Sequence, residues 1–178
     1  MGKLPVPMPP PMEMFHRRKM AIRRQRRVRR IWLVTVGLWA ALSQVFLLHR
    51  IPGMEMYPAL QTGDLAVLWR TVKSVERGDI LLLRMDDQMH IGRVAATEGD
   101  AVMMDDSGSL LVNGSVQNSY SLYPTYVRPY GEYPQRVPAE SVFVLGDHRT
   151  QSQDSRDYGS VPLDAVVGKV VAVIRMEG

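Results

Sequence analysis

Residues 143–161 read FVLGDHRTQSQDSRDYGSV. Phe143, Val144 and Leu145 are apolar and favour strands, and Gly146 with Asp147 stops them, so the run predicts the end of a buried strand. From Asp147 onward the stretch is polar almost throughout. It packs turn chemistry, charge and hydroxyls (Arg149, Ser152, Asp154, Ser155, Arg156) into a run that an ordinary solvated loop rarely needs.

Outward from this stretch the pattern is β. Residues 64–70, 79–85, 90–96, 100–104, 109–112, 141–145 and 166–175 read as strands, and Asp105, Asp106, Ser107 and Gly108 predict a hairpin turn. Outside the apolar run near the N-terminus no stretch has helical periodicity. The chain has no cysteine, so residues 50–178 must be held by their core alone, and they are numerous enough for one small domain. The expected class is mainly β, an open or partly closed antiparallel structure.

The net charge of +4 invites a nucleic-acid reading, but its distribution argues against one. Residues 1–30 hold ten Lys/Arg and one acid, whereas residues 51–178 hold 11 Lys/Arg and 17 Asp/Glu. The basicity belongs to the tail, and no nucleic-acid partner is expected. Pro5, Pro7, Pro9, Pro10 and Pro11 keep the start of that tail from helix or ladder, so residues 1–30 are expected to form a disordered, basic cytoplasmic segment. Residues 17–30 have the alternative of a basic helix on anionic headgroups.

Residues 31–48, IWLVTVGLWAALSQVFLL, carry no charge and would span about 27 Å as a helix, so a transmembrane helix is expected over 31–49. The preceding Lys/Arg excess would keep the tail in the cytoplasm and residues 50–178 outside, as a single-pass cell-membrane protein. Small residues at 41–43 offer a cleavage site for a signal peptide, but the apolar run continues past them through Val45, Phe46, Leu47 and Leu48.

In order, Gly146, Asp147, Arg149, Ser152, Asp154, Ser155, Arg156, Gly159 and Val161 resemble the last signature box of type I signal peptidases, membrane-anchored serine/lysine proteases. That family usually has Asn where His148 stands. The resemblance extends through residues 50–178. GMEMYPAL at 53–60 looks like the nucleophile box, RGDI at 77–80 like the next, and HIGRVAATEGD at 90–100 like the box of the general base. Leu111, Val112, Asn113 and Gly114 continue with the family's hairpin. By this resemblance the fold is a signal-peptidase-type antiparallel β domain on one N-terminal transmembrane helix. Ser152, Asp154 and Arg156 would support the catalytic pair, and Gly53, Met54, Glu55, Met56, Tyr57, Pro58, Asp147 and Arg149 would line a binding groove.

Two positions depart from the family's pattern, and they are the ones that do its chemistry. Glu55 stands directly before Met56, where the nucleophilic Ser belongs, and Gly92 directly before Arg93, where the Lys base belongs; Ala59 replaces a neighbouring Thr. A hydroxyl becomes nucleophilic only when a base takes its proton, and glycine offers none. Losing the nucleophile of a serine protease costs on the order of a millionfold in turnover. A carboxylate dyad of Glu55 with Asp154 would need a shared proton, which pairing to Arg149 and Arg156 would abolish. Glu55, His90 and His148 match no metal-ligand spacing, and no cofactor or metal is expected.

Glu55 is expected to accept hydrogen bonds from the 147–156 box or from amides of its own turn. Five of seven tyrosines fall in residues 120–133, where Pro124 and Pro129 forbid a continuous helix, so the rings either face a partner or cover one face of the sheet. A group of Gram-positive signal-peptidase-like proteins, found with pilus and sortase genes, is similar in carrying an acid and a glycine at the two catalytic positions. That resemblance implies a membrane-bound, inactive protein that assists sortase-dependent pilus assembly, with pilin subunits or a pilus sortase as partner. The alternative is an active type I signal peptidase that removes signal peptides.

Overall fold

The computed structural model of the chain describes residues 12–117, 121–128 and 131–175, with side chains from residue 24 onward. It divides into two compact units, Met1–Ser43 and Gln44–Gly178. The first is built on helix α1, Met12–Val45. From residue 31 to residue 42 this helix is exposed on every side, Trp32, Leu33 and Trp39 included.

The structure corrects the expected boundaries here. Helix begins by Met12, within the stretch expected to be disordered, and residues 1–11 lie outside the described residues. The apolar span expected over 31–49 is not one helix, because α1 ends at Val45 and Phe46–Arg50 forms strand β1. Residues 31–45 cover only about 22 Å at 1.5 Å per residue, against roughly 30 Å of hydrocarbon. Among the described residues no helix is long and apolar enough to cross a membrane. The switch to strand has a tertiary cause: β1 pairs along its whole length with β2, Leu65–Trp69, in the register Phe46↔Trp69 to Arg50↔Leu65. Leu47 then packs against a buried cluster around Ile51 and Leu60, while the Phe46 ring meets Trp69 edge-on at 5.4 Å.

The second unit continues with β3 (Ile80–Met85), β4 (Gln88–Thr97), β5 (Ala101–Met104), β6 (Leu110–Val112), β7 (Ser115–Val116), β8 (Gln135–Arg136), β9 (Ser141–Leu145), helix α2 (Ser155–Tyr158), β10 (Val161–Pro162) and β11 (Val166–Ile174). Seven strands form one sheet in the order β1-β2-β11-β3-β4-β9-β10, and four form another, β7-β6-β5-β8. Every pairing is antiparallel. The seven strands expected from the sequence all exist, each shifted by two residues or fewer at either end.

Strand β9 explains the continuous apolar run that precedes the polar loop, because it is buried on both faces. Phe143 and Leu145 join Val102 and Val112 on one side, whereas Val142 and Val144 join Leu81, Leu83 and Val94 on the other. Strand β4 is longer than its neighbours and serves two of them. Residues 88–93 pair with β3, and pairing with β9 begins only at Arg93↔Leu145. Among the described residues, 88–92 therefore pair with β3 alone, and of these 88–90 are accessible as an edge.

Candidate functional site

The turn after β1 is fixed from below. Met56 and Leu60 are fully buried with Ile51, and Leu60 N–H donates to the Met56 carbonyl at 2.9 Å. Met56 is thus a core anchor for the turn and does not line a groove. Glu55, one residue earlier, is half-buried, and Met54 is exposed.

The polar box lies against this turn. Gly146 is the point of contact: a Cβ there would fall 2.2 Å from Ser152 Cβ and 2.8 Å from the Glu55 carbonyl oxygen, so no larger residue fits without a backbone shift. His148 N–H donates to that same carbonyl at 2.9 Å. Beyond it Asp154 gathers donors: Ser152 Oγ at 2.7 Å, Gly146 N–H at 3.1 Å, and Arg156 through Nε at 2.9 Å and Nη2 at 2.8 Å. Asp154 also caps α2, and Asp157 completes the capping box by accepting the Asp154 N–H at 2.9 Å. Asp154 and Arg156 are almost wholly buried, and a buried pair of this kind persists only when its remaining hydrogen-bonding capacity is met.

Asp147, expected at a groove, is instead buried and held by both ends of Arg93, at 2.8 and 2.6 Å. Arg149 is also buried; its Nε donates to the Gly146 carbonyl at 2.8 Å and its Nη1 to Thr125 Oγ1. From outside, Arg128 straps the box through Asp157 and the Ser152 carbonyl. In the tyrosine-rich segment Tyr123 stacks on His148 at 4.2 Å and Tyr133 meets Phe143 edge-on, so both cover the fold, while Tyr126 is exposed. Tyr120, Pro129 and Tyr130 lie outside the described residues.

One expectation fails at the centre of the site. Only the Glu55 backbone is bonded to the box; among the described residues its carboxylate receives no hydrogen bond, since Arg156 is committed to Asp154 and Arg149 to neutral oxygens. Burial raises the Glu55 pKa above the usual carboxylate value, His90 pulls it down, and Asp154 pushes it up. The sequence pattern does not single out His90 as a groove residue, although it stands two before Gly92 and so shares its face of β4. Its ring meets Tyr158 edge-on at 5.7 Å, and burial, with Asp154, Asp157 and Glu55, pushes the Tyr158 hydroxyl far up.

Gly92 is buried where β4 passes β9, and a Cβ there would sit 3.3 Å from Val144 Cβ. The site thus holds a bare carboxylate and an imidazole with no hydroxyl or amine in the two positions that need them. Among the described residues no three His, Asp or Glu side chains converge as metal ligands.

The family model described as signal peptidase, peptidase S26, matches residues 24–175. The chain belongs to this family. Among its signal-peptidase relatives, thylakoidal processing peptidase 1, chloroplastic, of Arabidopsis thaliana is 33% identical over 138 residues, which are 68% of this chain and 39% of that protein. Signal peptidase I of Bacillus caldolyticus is 30% identical over 161 residues, 78% of this chain and 85% of its own. The chain thus spans well under half of the plant processing peptidase and most of the bacterial signal peptidase. A crystal structure of a signal peptidase I from Enterococcus faecalis V583 aligns with a TM-score of 0.47 and 28% identity, over 57% of this chain and 100% of that one.

Proposed function

We propose that this signal-peptidase family member does not cleave, and that its former catalytic cleft holds an extended segment of a partner protein. One observation carries the reading. Glu55 and Gly92 occupy the positions of nucleophile and base, while the residues that would support them (Ser152, Asp154, Arg156) remain hydrogen-bonded to one another beside an intact turn. Nor does an acid dyad replace the lost pair. Asp154 already accepts from an arginine, a hydroxyl and an amide, so it is not free to pair with Glu55. The open edge of β4 at residues 88–90 offers backbone groups to an added strand.

By resemblance to pilus-associated signal-peptidase-like proteins, the partner is a pilin subunit or a pilus sortase, and the role is to assist sortase-dependent assembly at the outer surface of the cell membrane. The arginine-rich turns of α1 stay in the cytoplasm and residues 31–45 enter the bilayer, where their exposed apolar side chains find a fitting solvent. A second reading, an active signal peptidase, draws on the peptidase names of the relatives.

The test is incubation of the full chain, reconstituted in vesicles, with a preprotein and with a photo-crosslinker in place of the exposed Met54. Crosslinks to pilin or sortase without cleavage are expected. Cleavage that disappears in Glu55→Ala would establish the second reading.

A further inference from the structure

A pocket of about 140 Å³ is walled by Arg77, Arg93 and Arg149, with Ala95, Leu110 and Gln117 among the rest of its lining. Two of the three guanidiniums have a carboxylate of their own: Arg77 closes on Asp100 and Arg93 on Asp147. Arg149 has none. It is only 6% exposed, and the oxygens it donates to, the Gly146 carbonyl and the Thr125 hydroxyl, are both neutral, which leaves Nη2 without an acceptor among the described residues. Burial lowers its pKa to about 10, while Asp154 and Asp147 pull it back up against the smaller opposing effects of Arg156 and Arg93. A buried cation with no carboxylate in contact is a costly arrangement unless something compensates it.

We propose that this pocket binds the carboxylate of an acidic peptide side chain. Among the described residues three cations pair with two carboxylates, so one positive charge remains, which suits a monoanion. Guanidinium forks match a planar carboxylate in geometry. The apolar wall of Ala95 and Leu110 can seat the methylenes of a glutamate, which an inorganic oxyanion would leave uncovered. That the carboxylate belongs to the protein held in the cleft rests on the function proposed above; the pocket itself does not.

The probe is N-acetyl-glutamate N-methylamide, titrated into the full chain in detergent micelles while the arginine Nε–H resonances are followed by NMR. Saturable shifts of Arg149 and Arg93 are expected, with none from the neutral glutamine counterpart. Gln117→Glu places a carboxylate in the wall and should weaken binding at least tenfold with the thermal unfolding temperature unchanged. Should that variant unfold, Arg77→Gln is expected to weaken binding severalfold. The assignment is overturned by the absence of saturable shifts, by equal shifts from the glutamine probe, or by affinity indifferent to these substitutions. Tighter binding of inorganic phosphate would overturn it in favour of a free-oxyanion site. Cleavage of a preprotein would refute the silent cleft alone, so the two failures are separable.

Discussion

The His148 amide donates to the Glu55 carbonyl at 2.9 Å, which ties the polar box to the turn through backbone atoms alone. Side-chain identity at position 55 is therefore free to change without undoing the junction. That freedom accounts for a scaffold that stays assembled with a carboxylate at position 55.

Glu55→Gln should raise the unfolding temperature of the free protein at neutral pH. The folded-state pKa of Glu55 lies above its unfolded value, so its ionisation opposes folding, and the penalty is full above the folded pKa. Removing the charge relieves it. Thermal melts at pH 7 and at pH 3 check the sign, with the advantage vanishing at the lower pH; a glutamine variant less stable at pH 7 would show that the carboxylate has a partner.

Gly146→Ala should be among the most damaging small substitutions in the chain. The added methyl collides with Ser152 Cβ and the Glu55 carbonyl at once, and such overpacking costs about 3 kcal/mol. Urea unfolding of the variant reads this directly.

Asp154→Asn leaves Arg156 buried without its counter-charge. A loss of about 3 to 5 kcal/mol is expected, larger than for replacing both residues by apolar ones of similar volume. Comparison of the single and double variants by denaturant titration separates the two outcomes.

Asp100 carries an acid-sensitive contribution. Burial alone would raise its pKa, but the Arg77 guanidinium, the Thr97 amide and the Asn113 amide outweigh it and hold the value at about 2. Because the folded pKa is depressed, this stability is present above the unfolded value of roughly 4 and is lost as pH falls toward 2. Asp100→Asn should lower stability at pH 7 and flatten the acid limb of the stability curve between those values.

The double reversion Glu55→Ser with Gly92→Lys should fold. A side chain at 92 presses on Val144 at 3.3 Å, which a shift of a few tenths of an ångström accommodates, at a cost of about 1 kcal/mol. Weak cleavage of a preprotein is the expected gain, held down because a misplacement of about 1 Å costs around a hundredfold.

Strands are legible where alternation or a continuous apolar run meets a turn signal, as at Ile80–Met85 and Ser141–Leu145. Strand β1 is not, because FLLHR extends an apolar run and only its pairing with Leu65–Trp69 distinguishes it from helix. Helix α2 is four residues long, too short for periodicity, though Asp154 and Asp157 at capping-box spacing announce its start. At the site, the pattern locates Glu55 and Gly92 and the arginines near them. Which acid each arginine chooses is beyond it: Asp154 and Arg156 are neighbours in sequence, but Arg149 is set by Thr125, which lies 24 residues away in the chain.

Strand β1 also dictates where the second unit can be cut free of α1. Cutting after residue 49, where the apolar run ends in the sequence, would amputate the strand, bare the β2 edge, and strip Leu47 from the cluster around Ile51. Open edges flanked by exposed apolar rings such as Trp69 recruit other chains. A cut just before Gln44, the first residue of the second compact unit, keeps all five β1 residues and gives the preparation its chance of remaining monodisperse.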